Sequence, residues 1–134
     1  MKNGQTVHLG DDDEDDRMLI KDALEEANPN VTVVEAEDGR ELIDNVKNSK
    51  DLSQTVVVVD MNMPKMNGVE AIKEIKSDPE LVDLPTVMLS TSDNPELKKR
   101  AIAAGADDFF VKPNTFKALL DIARGIVNKF LGRK

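Results

Sequence analysis

The sequence predicts an α/β fold in which one parallel sheet is covered by helices on both faces, and three observations carry that prediction. Short β-like segments alternate five times with helical patterns. Such alternation implies right-handed crossovers and parallel pairing. The run "VVVV" at 56–59 lacks any polar alternation, as a strand buried on both faces requires. Finally, 134 residues with 40% hydrophobic content suffice for one globular domain with a substantial core.

Each element has its own signal. The β segments are Gln5–Leu9, Val31–Ala36, Thr55–Val59, Pro85–Ser90 and Asp108–Val111, each bounded by polar or Gly/Pro punctuation. In the first helical pattern Ile20, Leu24 and Ala27 recur at helix spacing, and the pattern stops before Asn28-Pro29. The second groups Leu42, Ile43 and Val46; the third Val69, Ile72 and Ile75; the fourth Leu97, Ile102 and Ala103. The fifth starts at about Thr115 and carries Phe116, Leu119, Leu120, Ala123, Ile126, Val127 and Phe130. No linker, repeat or low-complexity stretch interrupts the series, so residues 1–134 are expected to form a single domain without an attached output domain.

Composition excludes several classes of function. A net charge of -8 lacks the basic footprint that nucleic acid or an anionic membrane requires. Without cysteine there is no disulfide, thiolate zinc site or thiol nucleophile. A signal sequence and a membrane-length apolar run are both absent, so a cytoplasmic protein is expected. His8 lies within a strand with no second His or Cys nearby, which favours packing over ligation.

In an open parallel sheet, ligands gather beyond the carboxyl ends of the strands. There the first strand delivers Asp11 and Asp12, the third Asp60, the fourth Ser90 with Thr91 behind it, and the fifth Lys112. Two carboxylates ~5 Å apart at an effective dielectric of about 20 repel by roughly 3 kcal/mol, so three acids at one edge call for a cation. All-oxygen ligation suits Mg²⁺ or Mn²⁺. Lys112 offers its charge to an anion instead. Metal, ammonium, hydroxyl and a spare carboxylate nucleophile together describe phosphoryl transfer onto an Asp. The acidic run Asp11 to Asp16 then divides in two: Asp11 and Asp12 serve the site, while Asp13 to Asp16 begin the first helix, where acids cap free N–H groups and complement the dipole. An EF-hand reading of the same run fails, because Asp16 stands at the sharp-turn Gly and Asp22 at the bidentate Glu.

"DDDEDDR", "VVVVDMNMPKMNG", "LPTVMLSTS" and "AGADDFFVKP", in that order, resemble the receiver domains of two-component response regulators. The resemblance runs from about Thr6 to Phe130. It implies the flavodoxin-like receiver fold with strand order 2-1-3-4-5 and a single-domain response regulator. Asp60 would be the phosphoacceptor, Asp12 a direct Mg²⁺ ligand, Asp11 a ligand largely through water, and the Asn62 backbone carbonyl the last protein ligand. Ser90 and Lys112 would each hold a phosphoryl oxygen, and the Lys112-Pro113 bond is expected to be cis. The implied partners are a sensor histidine kinase or phosphotransfer protein, a downstream protein at the face of the fourth helix, fifth strand and fifth helix, and a second copy of the chain. Beyond its own phosphorylation and dephosphorylation no enzyme activity is expected. The segments "LSTS" and "SDPELVDLP" also resemble stand-alone regulators paired with phytochrome-like sensor kinases.

Several positions depart from the family pattern. Gly10 stands where a larger apolar or a small residue is more usual, so a looser first loop is expected. Ser90 replaces the commoner Thr, Thr91 is bulkier than the usual Ala or Gly, Phe109 stands where Tyr is frequent, and Asn114 follows Pro113 in place of an aromatic. Two other classes compete with the receiver reading: a constitutive binding module with the same acidic pocket, and a Mg²⁺-dependent phosphatase with an Asp nucleophile. In the latter Asp11 and Asp13 would fit as nucleophile and acid/base, but Asp60 and its motif would go unexplained.

Overall fold

The computed structural model describes residues 4–131; residues 1–3 and 132–134 of the expected domain lie outside the described residues. Five strands and five helices alternate: β1 (Thr6–Gly10), α1 (Glu14–Ala27), β2 (Thr32–Ala36), α2 (Gly39–Lys47), β3 (Thr55–Val59), α3 (Gly68–Ser77), β4 (Thr86–Ser90), α4 (Pro95–Ala104), β5 (Asp108–Val111) and α5 (Phe116–Phe130). All pairings are parallel, in the order β2-β1-β3-β4-β5. The order reverses between β1 and β3, so the crossovers that follow these two strands, α1 and α3, leave on opposite faces and open a crevice there.

Side-chain alternation along β3 divides the core. Val56 and Val58 join Ile20, Ala23, Leu24, Leu119, Ala123 and Ile126 on the α1/α5 face. Val57 and Val59 join Leu42, Ile43, Val46, Ile72 and Ile75 on the α2/α3 face. Every residue of β3 and of β4 is buried, which accounts for the absence of polar alternation in "VVVV".

Caps set the helix starts. Asp13 accepts from Asp16 N and opens α1, so the second half of the acidic run begins a helix as expected. Asn67 and Glu70 form a reciprocal capping box at α3. Thr115 is the cap of α5 rather than its first turn, accepting from Ala118 N at 3.1 Å. β1 is displaced by one residue from the expected Gln5–Leu9, because Gly10 still pairs with Ala36 and Val59.

Two expectations are corrected. The Lys112-Pro113 bond is trans, as is every peptide bond among the described residues. Trans is the favoured X-Pro isomer by about 0.5–1 kcal/mol, and with it Lys112 N still donates to Ser90 O at 2.7 Å. Nor is the first loop loosened by Gly10. A Cβ there would stand 3.0 Å from Met63 Sδ and 3.2 Å from Leu42 Cδ2, so larger side chains fill the space that the glycine leaves.

Candidate functional site

The carboxyl ends of β1, β3, β4 and β5 bring the expected side chains together. One carboxylate oxygen each from Asp11, Asp12 and Asp60 lie within 4.8 Å of one another. Asp11 and Asp60 are buried and Asp12 is exposed, so the cluster opens to solvent on one side. Three hard oxygen donors with an open side fit Mg²⁺ or Mn²⁺, which keep several waters, and do not fit a closed thiolate or imidazole site. Asn62 is exposed two residues beyond Asp60.

Backbone contacts fix these positions. Asp60 N donates to Gly10 O at 2.9 Å, joining the ends of β3 and β1. Asp11 Oδ1 accepts from Asp13 N at 3.0 Å, and Arg17 Nη1 donates to Asp11 O at 2.8 Å. Arg17 is itself held by Glu35 at the end of β2, with Nε 3.0 Å from Oε1. Behind Asp60, Gly68 N donates to Met61 O at 2.9 Å, and α3 begins so close that a Cβ on Gly68 would lie 2.5 Å from Asp60 O.

Lys112 reaches across the ends of β4 and β3 into this cluster. Its Nζ stands 2.7 Å from Asp11 Oδ2, 3.0 Å from Asp16 Oδ2 and 3.4 Å from Asp60 Oδ1. Burial pushes the Asp60 carboxyl up to about 6, and the neighbouring Asp11 and Asp12 charges add to the rise against the opposing pull of Lys112. Burial raises Asp11 as well, again opposed by Lys112. Its carboxylate partners hold the Lys112 ammonium protonated well above the ordinary lysine range, overcoming its own burial. The protein's own cation therefore offsets part of the repulsion that composition alone assigns entirely to a metal.

Ser90, rather than Thr91, turns inward: Ser90 is 1% exposed, whereas Thr91 is exposed. Its Oγ accepts from Ser92 N at 3.1 Å, which orients the hydroxyl at the end of β4. His8 is also buried, with Nε2 3.1 Å from Ser49 Oγ, and burial lowers its imidazole to about 4. It belongs to the core and not to the site.

The contact between Asp16 and Lys112 is not anticipated by the sequence pattern, which places Asp16 only at the helix start. A signal is present nonetheless. Counting back four from the Ile20–Leu24 stripe lands on Asp16, an acid on the buried face of α1.

Comparisons with known proteins agree with this arrangement. The family described as response regulator receiver domain matches residues 7–124. The chain is 39% identical over 111 residues to the chemotaxis protein CheY of Thermotoga maritima, covering 82% of this chain and 87% of that one. Among solved structures, the phosphorylated cyanobacterial phytochrome response regulator RcpA superposes with a TM-score of 0.82 at 29% identity, over 95% of this chain and 94% of its own. CheY4 of Vibrio cholerae does so with a TM-score of 0.77 at 30% identity, over 91% and 98%. The family match takes in the acidic loop, the third strand with Asp60, and Lys112, and so this chain belongs to the response regulator receiver domains of two-component signalling.

Proposed function

We propose that the chain is a response regulator that takes a phosphoryl group onto Asp60 from a phosphohistidine on a sensor histidine kinase or phosphotransfer protein. The observation that carries this reading is the position of Asp60, 3.4 Å from Lys112 Nζ and inside the three-carboxylate cluster. A Mg²⁺ ion held by Asp11, Asp12, Asp60 and the Asn62 carbonyl would supply positive charge to the transferring phosphoryl oxygens. One oxygen of the Asp60 carboxylate attacks phosphorus in line. The phosphorus–nitrogen bond to the donor breaks, and its electron pair stays on the departing imidazole nitrogen. Lys112 Nζ and the Ser90 hydroxyl each donate to an oxygen of the transferred group. Hydrolysis by water returns Asp60 to a carboxylate and releases inorganic phosphate, so the chain processes its own modification and is no turnover enzyme.

The output is a change of surface at α4, β5 and α5, or onward transfer of the phosphoryl group. Ile102 is 47% exposed on α4 and, with Pro95, Lys98, Lys99 and Ala103, lines an open groove of about 470 Å³. Phe109 packs partly buried against the same core cluster as Leu97 of α4, and its pairing with Met88 links the middle of β4 to this face. A downstream protein with an apolar anchor flanked by acids would fit it. The likeness to RcpA, a phytochrome response regulator by its name, supports a phytochrome-like kinase as donor in the cytoplasm. Among the described residues no helix is long and apolar enough to cross a membrane.

Intact-protein mass spectrometry after incubation with acetyl phosphate tests the reading. A gain of one phosphoryl group that needs both Mg²⁺ and Asp60, and is lost in Asp60→Asn, is the expected result. No gain despite Mg²⁺-dependent thermal stabilisation would favour the constitutive binding module. Sustained turnover of a generic phosphomonoester would favour the phosphatase.

A further inference from the structure

Asp16 occupies a position that neither a helix cap nor a metal ligand explains. It lies in the first turn of α1, on the stripe that continues as Ile20 and Leu24, and its Oδ2 is 3.0 Å from Lys112 Nζ. An ammonium has three N–H donors. Here three carboxylates surround it, at 2.7 Å from Asp11, 3.0 Å from Asp16 and 3.4 Å from Asp60. The longest of the three contacts is the one to the nucleophile.

The three acids differ in how readily they release the lysine. The Asp11 side chain is 1% exposed and that of Asp60 9%, whereas that of Asp16 is 38% exposed. Losing its ammonium partner would leave Asp11 desolvated and unpaired, which is strongly unfavourable. Asp16 instead recovers hydration from solvent. It is the partner that can be exchanged when phosphoryl oxygens arrive on Asp60.

We propose that Asp16 is a positioning residue: it draws Lys112 Nζ away from Asp60 in the unphosphorylated chain and releases it to the incoming phosphoryl group. Asp16 thereby slows phosphorylation, by occupying a donor that the reaction needs. The inference rests on the phosphoryl-transfer reading above and deepens it.

Asp16→Asn, Asp16→Glu and Asp15→Asn separate this role from general charge. Asp15 is exposed one residue away and is not among the carboxylates paired with Lys112. With acetyl phosphate at saturating Mg²⁺, Asp16→Asn is expected to raise the phosphorylation rate constant about threefold or more. Asp16→Glu, which keeps the charge, should restore a rate within about twofold of the unmodified chain, and Asp15→Asn should stay within the same range. A second readout needs no reaction: the affinity for beryllofluoride, a phosphoryl mimic, followed by ¹⁹F NMR with Mg²⁺, should tighten in Asp16→Asn alone. An unchanged or slower Asp16→Asn overturns the proposal, and so does an equal acceleration in Asp15→Asn. If the unmodified chain neither accepts a phosphoryl group nor binds beryllofluoride, the phosphoryl-transfer reading itself has failed and the proposal falls with it.

Discussion

Lys112 Nζ lies 2.7 Å from Asp11 Oδ2, and this ion pair joins the end of the edge strand β5 to the end of β1 on the far side of β3 and β4. Both side chains are largely buried, 11% and 1% exposed. A pair so placed stabilises the fold chiefly because either charge alone would be stranded. In the proposed reaction the same ammonium would also supply positive charge to the transferring phosphoryl group. On that reading one residue serves both the resting fold and the reaction.

Lys112→Met separates these two roles. Removing the ammonium leaves Asp11 and Asp60 without their cation, so the metal-free variant should lose about 3 kcal/mol of stability in urea unfolding. Mg²⁺ should recover more stability for this variant than for the unmodified chain, since the cluster then lacks its competing cation. Phosphorylation by acetyl phosphate should slow about a hundredfold, the usual consequence of deleting one charge-stabilising donor. A variant as stable as the parent in chelator would show that solvent already compensates Asp11.

Asp60 and His8 place opposing pH dependences in the same window. The carboxyl of Asp60 moves from an ordinary 3.8 up to about 6 on folding. Between those values the folded chain holds a proton that the unfolded chain has lost, so stability falls as pH rises through the window. His8 moves from 6.5 down to about 4. Between those values it is the unfolded chain that holds the extra proton, so stability falls as pH drops. The two effects, each about 3 kcal/mol, nearly cancel in the unmodified chain. Asp60→Asn should therefore be markedly acid-labile between pH 6.5 and 4, and His8→Phe should be more acid-resistant than its parent. Urea midpoints in chelator at the two ends of that window check both; identical pH profiles for the two variants would refute the assignment.

The five strands are legible because burial on two faces leaves an uninterrupted apolar run, and because strand ends are where acids, Ser90 and Lys112 recur. Asp11, Asp12, Asp60, Ser90 and Lys112 can all be named from their places after those runs. What the sequence does not show is contact between residues remote along the chain. Helix spacing puts Asp16 on the buried face of α1, but its pairing with Lys112 follows only from α1 standing beside the end of β5, a tertiary fact that local spacing does not give. The packing of Met63 and Leu42 against Gly10 likewise depends on α2 and the loop after β3 meeting at one point. The Lys112-Pro113 isomer also escapes local reasoning, since the intrinsic preference between the two forms is small.

Glycines at helix starts and in mid-helix should respond oppositely to the same substitution. At Gly39, the first residue of α2, a Cβ would stand 2.1 Å from Met66 O, and at Gly68, the first of α3, 2.5 Å from Asp60 O. Both neighbours are backbone, so neither can turn aside as a flexible side chain would. The loop from Met61 to Asn67 is clasped between these two glycines, with Gly39 N donating to Pro64 O at 3.4 Å. Gly39→Ala and Gly68→Ala should each lose about 2 kcal/mol or more of stability. Because Gly68 abuts Asp60, the proposed phosphoacceptor, only Gly68→Ala should also slow phosphorylation when measured well below its unfolding midpoint. Gly125 is exposed within α5, and a Cβ added there would meet nothing within 4 Å. There alanine relieves the backbone entropy of a mid-helix glycine, and Gly125→Ala should gain about 0.5–1 kcal/mol with phosphorylation unchanged. Urea unfolding of the three variants beside their parent reads the whole set. A Gly39→Ala protein within about 0.5 kcal/mol of the parent would mean that the loop carrying Asn62 and Pro64 yields more easily than its packing implies.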